Sequence, residues 1–332
     1  MADLNKKKIV YLFGAGATHA ELCTIFDPLD TGFQKKRGLL IGYVSDRVIR
    51  KARRSKKYLR DIGMVSSPTG SLNIELLISL IESSRVRESE WKTFFLKELV
   101  RKDIERILEK ATVRDFYLHK ALLELHVHEL ARMKEELIGL VSLNYDNVLD
   151  EACRAIYKTS PNYSFPLRSS DHDGKIPLLK LHGSFSWSNT IINGKMRNYE
   201  IIPLGANKNY LHVPYNFIWS RALELLIECD ILRVIGCSLS QNDIHLIDLL
   251  FKAHLEKGKE LEIQIIGPED QGEKVQQNYG FLPNIKRLTQ IEPPLVPDPA
   301  PVNAFAAWLR YKGLRMLKDR IHRTRFLRKL LT

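Results

Sequence analysis

Short, mostly apolar runs alternate along the chain with longer segments in which apolar residues recur at helical spacing. Apolar runs of this length are typical of parallel strands that helices cover on both faces of a sheet. They predict strands at Ile9–Phe13, Leu140–Leu143, Leu178–Leu181, Ile231–Ile235 and Glu262–Ile266, with weaker candidates at Tyr199–Pro203 and Lys286–Ile291. The alternation predicts an α/β fold with a Rossmann-like parallel sheet.

Residues 14–139 separate the first two predicted strands and contain no convincing strand. They predict amphipathic helices at Ile41–Arg60, Asn73–Ile81, Trp91–Lys110 and Arg114–Lys134. A crossover of this length exceeds any simple βαβ connection. We therefore expect a domain over 1–292 that contains a helical insertion lobe at about 38–136.

The C-terminal region has a different composition. Five of the 14 prolines lie within 293–301, which predicts a stiff extended linker at 293–302. Beyond the linker, 303–332 predicts a basic amphipathic helix whose apolar stripe comprises Trp308, Leu314, Leu317 and Ile321.

The positive charge is concentrated in appendages. The net charge is +12, and the segment 309–332 carries nine Lys or Arg against one acid, a net +8. A second basic block lies at 47–60. The C-terminal segment could bind nucleic-acid phosphate, dock on an acidic or membrane surface, pack against another subunit, or pack on its own chain. Its apolar stripe slightly favours a partner or self-assembly.

Cysteine usage and hydropathy limit the class of protein. The four cysteines form no C-x-x-C pair, which argues against a zinc ribbon or a disulfide scaffold and fits a reducing cytoplasm. No apolar run reaches the roughly 18 residues that a membrane span needs, and no secretory signal is visible. His126 and His128 lie two positions apart, so we expect a solvated helix face there and not a metal site.

A glycine-rich turn, Gly14-Ala15-Gly16-Ala17, directly follows the first predicted strand. Two glycines at this position let the backbone approach a pyrophosphate at the start of a helix. The third glycine of the dinucleotide fingerprint is replaced by His19, and no acidic residue ends a second strand about 20 residues on. A hydride-transferring dehydrogenase is therefore disfavoured.

Three later strands also end in polar or small residues. Asn144 and Asp146 follow the second strand, and His182 follows the third. Gly236 and Ser238 follow the fourth. Ligands of open α/β sheets bind at the carboxyl ends of strands, so these residues can line one groove. Each has a simpler interpretation, such as a helix cap for Asn144 or Asp146 or an ordinary turn for the others.

The order of these four stretches resembles the sirtuin family. In particular, it resembles the divergent bacterial branch of sirtuin-like NADase domains found in anti-phage defence proteins. The resemblance extends from about Ile9 to Pro268, although the intervening helices match only in kind. It implies that NAD is the substrate and that its pyrophosphate binds at Gly14, Ala15, Gly16 and Ala17.

The resemblance also implies roles for the later residues. Asn144 would lie against the nicotinamide ribose and help to place a nucleophile, and Asp146 would lie near the carboxamide. His182 would act as a base or orient the ribose. Gly236 and Ser238 would contact the adenosine half of NAD.

This sequence differs in several places from the deacylases of the sirtuin family. Those enzymes hold zinc on two C-x-x-C pairs, and this sequence has none, so no metal is expected. The helical lobe takes the place of the zinc module, and Asp27 is only a tentative equivalent of the family's Asp-Phe-Arg aspartate. These differences favour NAD hydrolysis to nicotinamide and ADP-ribose over deacylation.

By family analogy we expect a cytoplasmic effector of an anti-phage system that acts by NAD depletion. The resemblance implies a homo-oligomer, with a HerA-type ATPase or an argonaute-like protein as candidate partners. Two alternatives stay open: a non-catalytic NAD or ADP-ribose binding module, and a nucleic-acid-binding protein that uses its basic tail.

Overall fold

The computed structural model describes most of the chain outside its basic tail. The described residues are 6–25, 36–53, 73–83, 89–112, 116–127, 134–164, 176–187, 190–192, 195–197, 210–211, 213–239, 243–257, 261–267, 272–283, 285–287, 305–306 and 308–309. The predicted strand at Tyr199–Pro203, the linker at 293–302 and the tail beyond Leu309 lie outside this set.

The described chain forms helices and strands that alternate around one main sheet. The strands are β1 (Lys7–Phe13), β2 (Glu135–Ser142), β3 (Leu178–Lys180), β4 (Thr190–Ile192), β5 (Lys195–Arg197), β6 (Ile231–Ile235), β7 (Glu262–Ile266) and β8 (Ile285–Arg287). The helices are α1 (Ala15–Ile25), α2 (Ile41–Arg53), α3 (Ile74–Ser83), α4 (Ser89–Thr112), α5 (Leu118–Leu125), α6 (Val148–Tyr157), α7 (Tyr215–Glu228), α8 (Ile244–Lys257) and α9 (Gly272–Asn278).

Six of the strands form a parallel sheet in the order β3-β2-β1-β6-β7-β8. Strands β4 and β5 pair separately as an antiparallel hairpin. Numbered by chain order within the sheet, the sequence of strands is 3-2-1-4-5-6, which is the arrangement of Rossmann folds. The order reverses between β1 and β6. Folds of this type bind ligands in the crevice at that reversal, beyond the carboxyl ends of the strands.

The predicted α/β class and all five main strands are confirmed. Strand β2 begins at Glu135 and not at the predicted Leu140. The first half of the strand is only partly buried and has no continuous apolar run, so the apolar pattern did not predict it. Strand β8 confirms the weaker prediction at 286–291 over its first residues, and 288–291 lie outside the described part of the chain.

The helices of the predicted insertion share a hydrophobic core of their own. This core comprises Val44, Val48, Ile49, Ala52, Ile74, Leu77, Ile78, Ile81, Leu96 and Val100, from α2, α3 and α4. A buried aspartate, Asp103 of α4, accepts hydrogen bonds from Arg47 and Lys51 of α2, at 2.7 Å and 2.8 Å. Burial alone would raise the pKa of Asp103, but these two cations hold it below its ordinary value.

Helix α5 begins at Leu118 and not at the predicted Arg114, and its N-terminus is capped from α1. The buried carboxylate of Glu21 accepts hydrogen bonds from the backbone N–H groups of Leu118 and His119, at 2.9 Å and 3.1 Å. It also lies 2.7 Å from Nδ1 of His119. The first amides of a helix need acceptors, and here they are supplied by another helix. Glu21 thus ties α5 to the helix that follows β1.

The prediction of a solvated helix face at His126, just beyond α5, is wrong. The side chain is buried, and its Nε2 lies 2.7 Å from the hydroxyl of Tyr11 in β1. The end of α5 packs on the sheet, so a polar side chain there needs a partner within the protein. His128 lies outside the described residues.

The start of the C-terminal segment is part of the main core. Phe305, Trp308 and Leu309 are almost completely buried, and the Trp308 ring lies 5.6 Å from the guanidinium of Arg233. Arg233 in β6 is itself buried and forms a bidentate ion pair with Glu135, at 2.6 Å and 2.8 Å. Of the interpretations of the tail, packing on its own chain therefore holds for these residues. Among the helices described, none is long and apolar enough to cross a membrane.

Replacing Trp308 tests whether the C-terminal segment is required for folding. Trp308→Ala should lower the free energy of unfolding by about 3–5 kcal/mol, because it empties a buried aromatic site. Trp91→Ala is the control, since Trp91 is 50% exposed. It should change stability by about 0.5 kcal/mol or less. Urea denaturation measures both, and equal stabilities would contradict the assignment of Trp308 to the core.

Candidate functional site

The glycine turn after β1 packs directly on the backbone at the end of β6. The N–H of Gly14 donates to the carbonyl of Ile235 at 3.0 Å, and the N–H of Gly16 donates to the carbonyl of Gly236 at 2.9 Å. A Cβ at Gly14 would lie 2.5 Å from the carbonyl oxygen of Gly236, and one at Gly16 would lie 2.8 Å from its Cα. The glycines therefore serve close packing at the strand reversal, in addition to any approach of a ligand.

Gly236 is the matching glycine on the other side of this contact. Its φ of +61° lies in the left-handed region, and a Cβ there would lie 2.2 Å from the backbone nitrogen of Ala17. Ser238, two residues later, is exposed, and its carbonyl accepts a hydrogen bond from Asn278 at 2.7 Å. Two of the four predicted stretches are thus in contact.

Asn144 joins the second strand end to the glycine turn. Its Nδ2 donates to the carbonyl of Gly14 at 2.9 Å and lies 3.0 Å from the hydroxyl of Thr18. That hydroxyl in turn donates to Oδ2 of Asp146 at 2.9 Å. Oδ1 of Asp146 accepts the N–H of Val148 at 3.0 Å, so Asp146 also provides an acceptor for the first amide of α6, close to the capping role that its simpler interpretation predicted, although the N-cap position itself is Asn147.

Thr18 was missed by sequence reasoning although it holds both polar residues of the Asn-x-Asp stretch. It lies in the first turns of α1, four residues after Gly14, and is buried. A hydroxyl one helical turn after a glycine-rich loop is the signal that could have identified it. The contacts of Thr18 therefore join the glycine turn after β1 to the Asn-x-Asp stretch after β2 through side chains as well as backbone.

His182 is completely buried beyond β3. Its Nε2 lies 3.8 Å from Oδ2 of Asp243, the residue that precedes α8. Its ring centroid lies 6.2 Å from that of Tyr145, which stands between Asn144 and Asp146 in the chain. His182 thus borders the Asn-x-Asp stretch through an aromatic contact. Asp243 was not singled out from the sequence.

An aromatic cluster extends from this histidine through Trp219 of α7 to Tyr210, which precedes that helix, and His245 of α8. The Trp219 ring lies 6.4 Å from that of His182, and its indole N–H donates to the carbonyl of Leu181 at 3.0 Å. The Tyr210 ring packs on Trp219 at 4.2 Å and on His245 at 4.5 Å. Burial raises the pKa of Tyr210 far above its ordinary value, and the nearby carboxylate of Asp243 raises it further, so the phenol stays neutral.

A buried ion pair lies next to the Asn-x-Asp stretch and holds its backbone. Lys180 of β3 and Asp150 of α6 are both fully buried and 2.9 Å apart. Lys180 also donates to the backbone carbonyl of Asp146, and the hydroxyl of Tyr163 donates to Asp150. A lysine within an otherwise apolar strand was the available signal for this pair. Its effect is to fix the backbone that carries Asp146.

The other titratable groups near the glycine turn are held neutral. Burial lowers the pKa of His19 to about 4 and raises that of Cys23 to about 11. Burial also raises the pKa of Cys237, so this thiol beside Gly236 is a poor nucleophile. Among the described residues, no group of three or more His, Cys, Asp or Glu could hold a metal ion. Asp27 lies outside these residues.

Comparison with known proteins finds a similarity over part of this chain. Residues 139–282 match a family model described as "SIR2-like domain". The matched span includes Asn144, Asp146, His182 and Gly236, and it begins after the glycine turn. No curated protein matches the chain.

Two solved structures show the extent of the structural likeness. One, titled "Sir2-p53 peptide-NAD+", is 13% identical, with 93% of each chain covered and a TM-score of 0.40. Another, titled "Structural Basis for the Mechanism and Regulation of Sir2 Enzymes", is 14% identical, with 95% of this chain and 94% of that chain covered and a TM-score of 0.39. At the level of sequence, residues 139–282 are similar to the SIR2-like domain.

The glycine contact can be tested by adding a methyl group. Gly236→Ala should lower the free energy of unfolding by at least about 2 kcal/mol, because its φ is unfavourable for alanine and its Cβ meets Ala17. Gly42→Ala in α2 is the matched control, since a Cβ there meets nothing within 4 Å. The control should be neutral or up to about 1 kcal/mol more stable. Equal loss in both variants would contradict the packing role.

The buried ion pair makes a second prediction. Lys180→Met should destabilise the protein by about 3–5 kcal/mol, because Asp150 remains buried without its cation. The double variant Lys180→Met/Asp150→Leu should recover part of that loss, since it leaves no buried charge at the pair. Urea midpoints of the wild type and both variants provide the measurement. A double variant less stable than Lys180→Met would show that the two charges do not depend on each other.

Proposed function

We propose that this protein is an NAD glycohydrolase that cleaves NAD to nicotinamide and ADP-ribose. The observation that carries the proposal is the bonding of Asn144 to the glycine turn, through Gly14 and Thr18, at the strand reversal of a Rossmann-like sheet. The similarity of residues 139–282 to the SIR2-like domain supports NAD-dependent activity in general.

In the proposed reaction the bond between C1′ of the ribose and the nicotinamide nitrogen breaks, and its electron pair goes to that nitrogen. The ribose carbon passes through an oxocarbenium-like state that water attacks. Asn144 would lie against the ribose and Asp146 near the carboxamide. His182 would accept the proton of the attacking water. A positioned histidine contributes typically about 10²–10⁴-fold to the rate of such a step.

Binding of the rest of NAD would involve the two sides of the glycine contact. We propose that Gly14, Ala15, Gly16 and Ala17 hold the pyrophosphate at the start of α1, where the helix dipole favours negative charge. Gly236 and Ser238 would contact the adenosine half. The exposure of Ala15 and Ser238 supports access of a ligand to both.

Water is the proposed acceptor in place of an acyl-lysine peptide. The sequence lacks the two C-x-x-C pairs with which deacylases of the family hold zinc. The chain between the glycine turn and β2 contains α2, α3 and α4, which share a hydrophobic core of their own. Both observations support hydrolysis over deacylation, with NAD as substrate and no metal.

The biological role proposed here rests on family resemblance. We propose a cytoplasmic effector of bacterial anti-phage defence that depletes NAD and acts as a homo-oligomer. A HerA-type ATPase or an argonaute-like protein would be the partner that releases its activity. We also propose the domain division expected from the sequence. It comprises a domain over 1–292 with an insertion at about 38–136, a linker at 293–302 and a basic helix at 303–332.

Nicotinamide release from NAD tests the proposal directly. The wild type should turn over NAD, and Asn144→Ala and His182→Ala should each reduce kcat by about 100-fold or more. Lys252→Ala is the control, since Lys252 is an exposed residue of α8 that pairs with Asp248. Chromatography of nicotinamide and ADP-ribose provides the measurement.

The other outcomes separate the remaining functions. Equal turnover in the wild type and both variants would mean that the site is misplaced. NAD binding without turnover would favour a non-catalytic NAD or ADP-ribose module or an enzyme awaiting its partner. Failure of the wild type to bind NAD would reject the proposal and leave nucleic-acid binding by the basic tail as the function to test, through the salt dependence of DNA affinity.

A further inference from the structure

Asp243 lies beside His182 at the edge of the sheet. The two side chains come from different elements, since His182 follows β3 and Asp243 precedes α8. Nε2 of the histidine is 3.8 Å from Oδ2 of the aspartate, and the side chains are 0% and 6% exposed. A carboxylate at this distance in a buried setting favours the protonated form of an imidazole.

We infer that Asp243 is a positioning residue that orients the ring of His182 and stabilises the imidazolium formed when His182 accepts a proton. This inference rests on the proposed function, in which His182 is the base for NAD hydrolysis. Asp243 acts through His182, and its role requires no contact with NAD.

The proton transfer explains why a carboxylate is useful at this position. As the water oxygen bonds to C1′ and the nicotinamide leaves with the electron pair, one water proton passes to His182. The imidazolium later releases that proton to solvent. Positive charge therefore appears on His182 during the step. A fixed negative charge at 3.8 Å stabilises the charged state more than the neutral one.

The other groups around His182 are less suited to this role. Tyr145 packs on the imidazole, but burial, together with Glu75 and Asp243, raises its pKa well above the ordinary value, so the phenol stays neutral. Trp219 packs on the ring from α7 and carries no charge. Glu75 raises the pKa of Tyr145, whereas Asp243 is within ion-pair distance of the imidazole itself.

A second role of Asp243 must be separated from the first. Asp243 directly precedes α8, and its backbone carbonyl accepts the N–H of Ile247 at 3.1 Å. An aspartate at this position also stabilises a helix as an N-cap. Serine caps helices about as well as aspartate but carries no charge. Asp243→Ser therefore removes the charge beside His182 and retains a capping residue.

The pH dependence of kcat/KM for NAD distinguishes the two roles. His182 acts in its neutral form, so activity rises as pH increases through its pKa. Because Asp243→Ser removes the carboxylate 3.8 Å from Nε2, it should move the rise to lower pH by about one unit. It should also lower the activity plateau by about 10–100-fold, because the ring is less well oriented and its charged form less stabilised.

Two further variants complete this experiment. Asp243→Glu should restore part of the plateau, since it returns a carboxylate to the site. Asp248→Asn removes an exposed carboxylate of α8 that pairs with Lys252, and it should match the wild type in profile and plateau. A wild-type profile in Asp243→Ser would overturn the inference, even if the variant were less stable.

Histidine-labelled protein without NAD provides a readout that needs no turnover. The NMR signal of His182 is assigned by its loss in His182→Gln, and its pKa should fall by about one unit in Asp243→Ser. An unchanged pKa would contradict the inference. A shifted pKa in a protein that does not bind NAD would confirm the coupling of Asp243 to His182 and would reject the proposed reaction instead.

Discussion

The candidate site depends on a contact between two backbones with no side chain between them. The glycine turn after β1 donates hydrogen bonds to the end of β6 at the point where the order of strands reverses. Asn144 is fastened to the same turn through Gly14 and Thr18. Any Cβ at Gly14, Gly16 or Gly236 would push these segments apart. The spacing of the strand ends therefore follows from this contact.

Buried charges set the relative positions of the remaining layers. Glu21 ties α1 to α5, Asp103 ties α2 to α4, Lys180 ties β3 to α6, and Arg233 ties β6 to β2. A buried charge is costly without its partner, so packings that separate these pairs are disfavoured. The four pairs are distributed over the glycine-turn helix, the helical insertion and both halves of the sheet.

The strands and the four polar strand ends were predictable because their signals are local. A buried strand shows as an apolar run, and the topology of parallel sheets brings the residues after such runs to one edge. The start of α5 was not predictable, because its cap, Glu21, is 97 residues away from Leu118. Asp243 was missed for the same reason, since its role comes from His182 in another element. Thr18 and Lys180 had local signals, but these signals do not reveal their partners in other elements.

The packing of Phe305 and Trp308 on the sheet has a consequence for how the protein is made. A chain is synthesised from its N-terminus, and domains generally fold as units during synthesis. Here the residues that cover Arg233 and His119 follow the last strand of the sheet along the chain. The surface around Arg233 and His119 therefore stays uncovered until the segment that carries Phe305 and Trp308 has been synthesised. A chain terminated before Phe305 could not cover it.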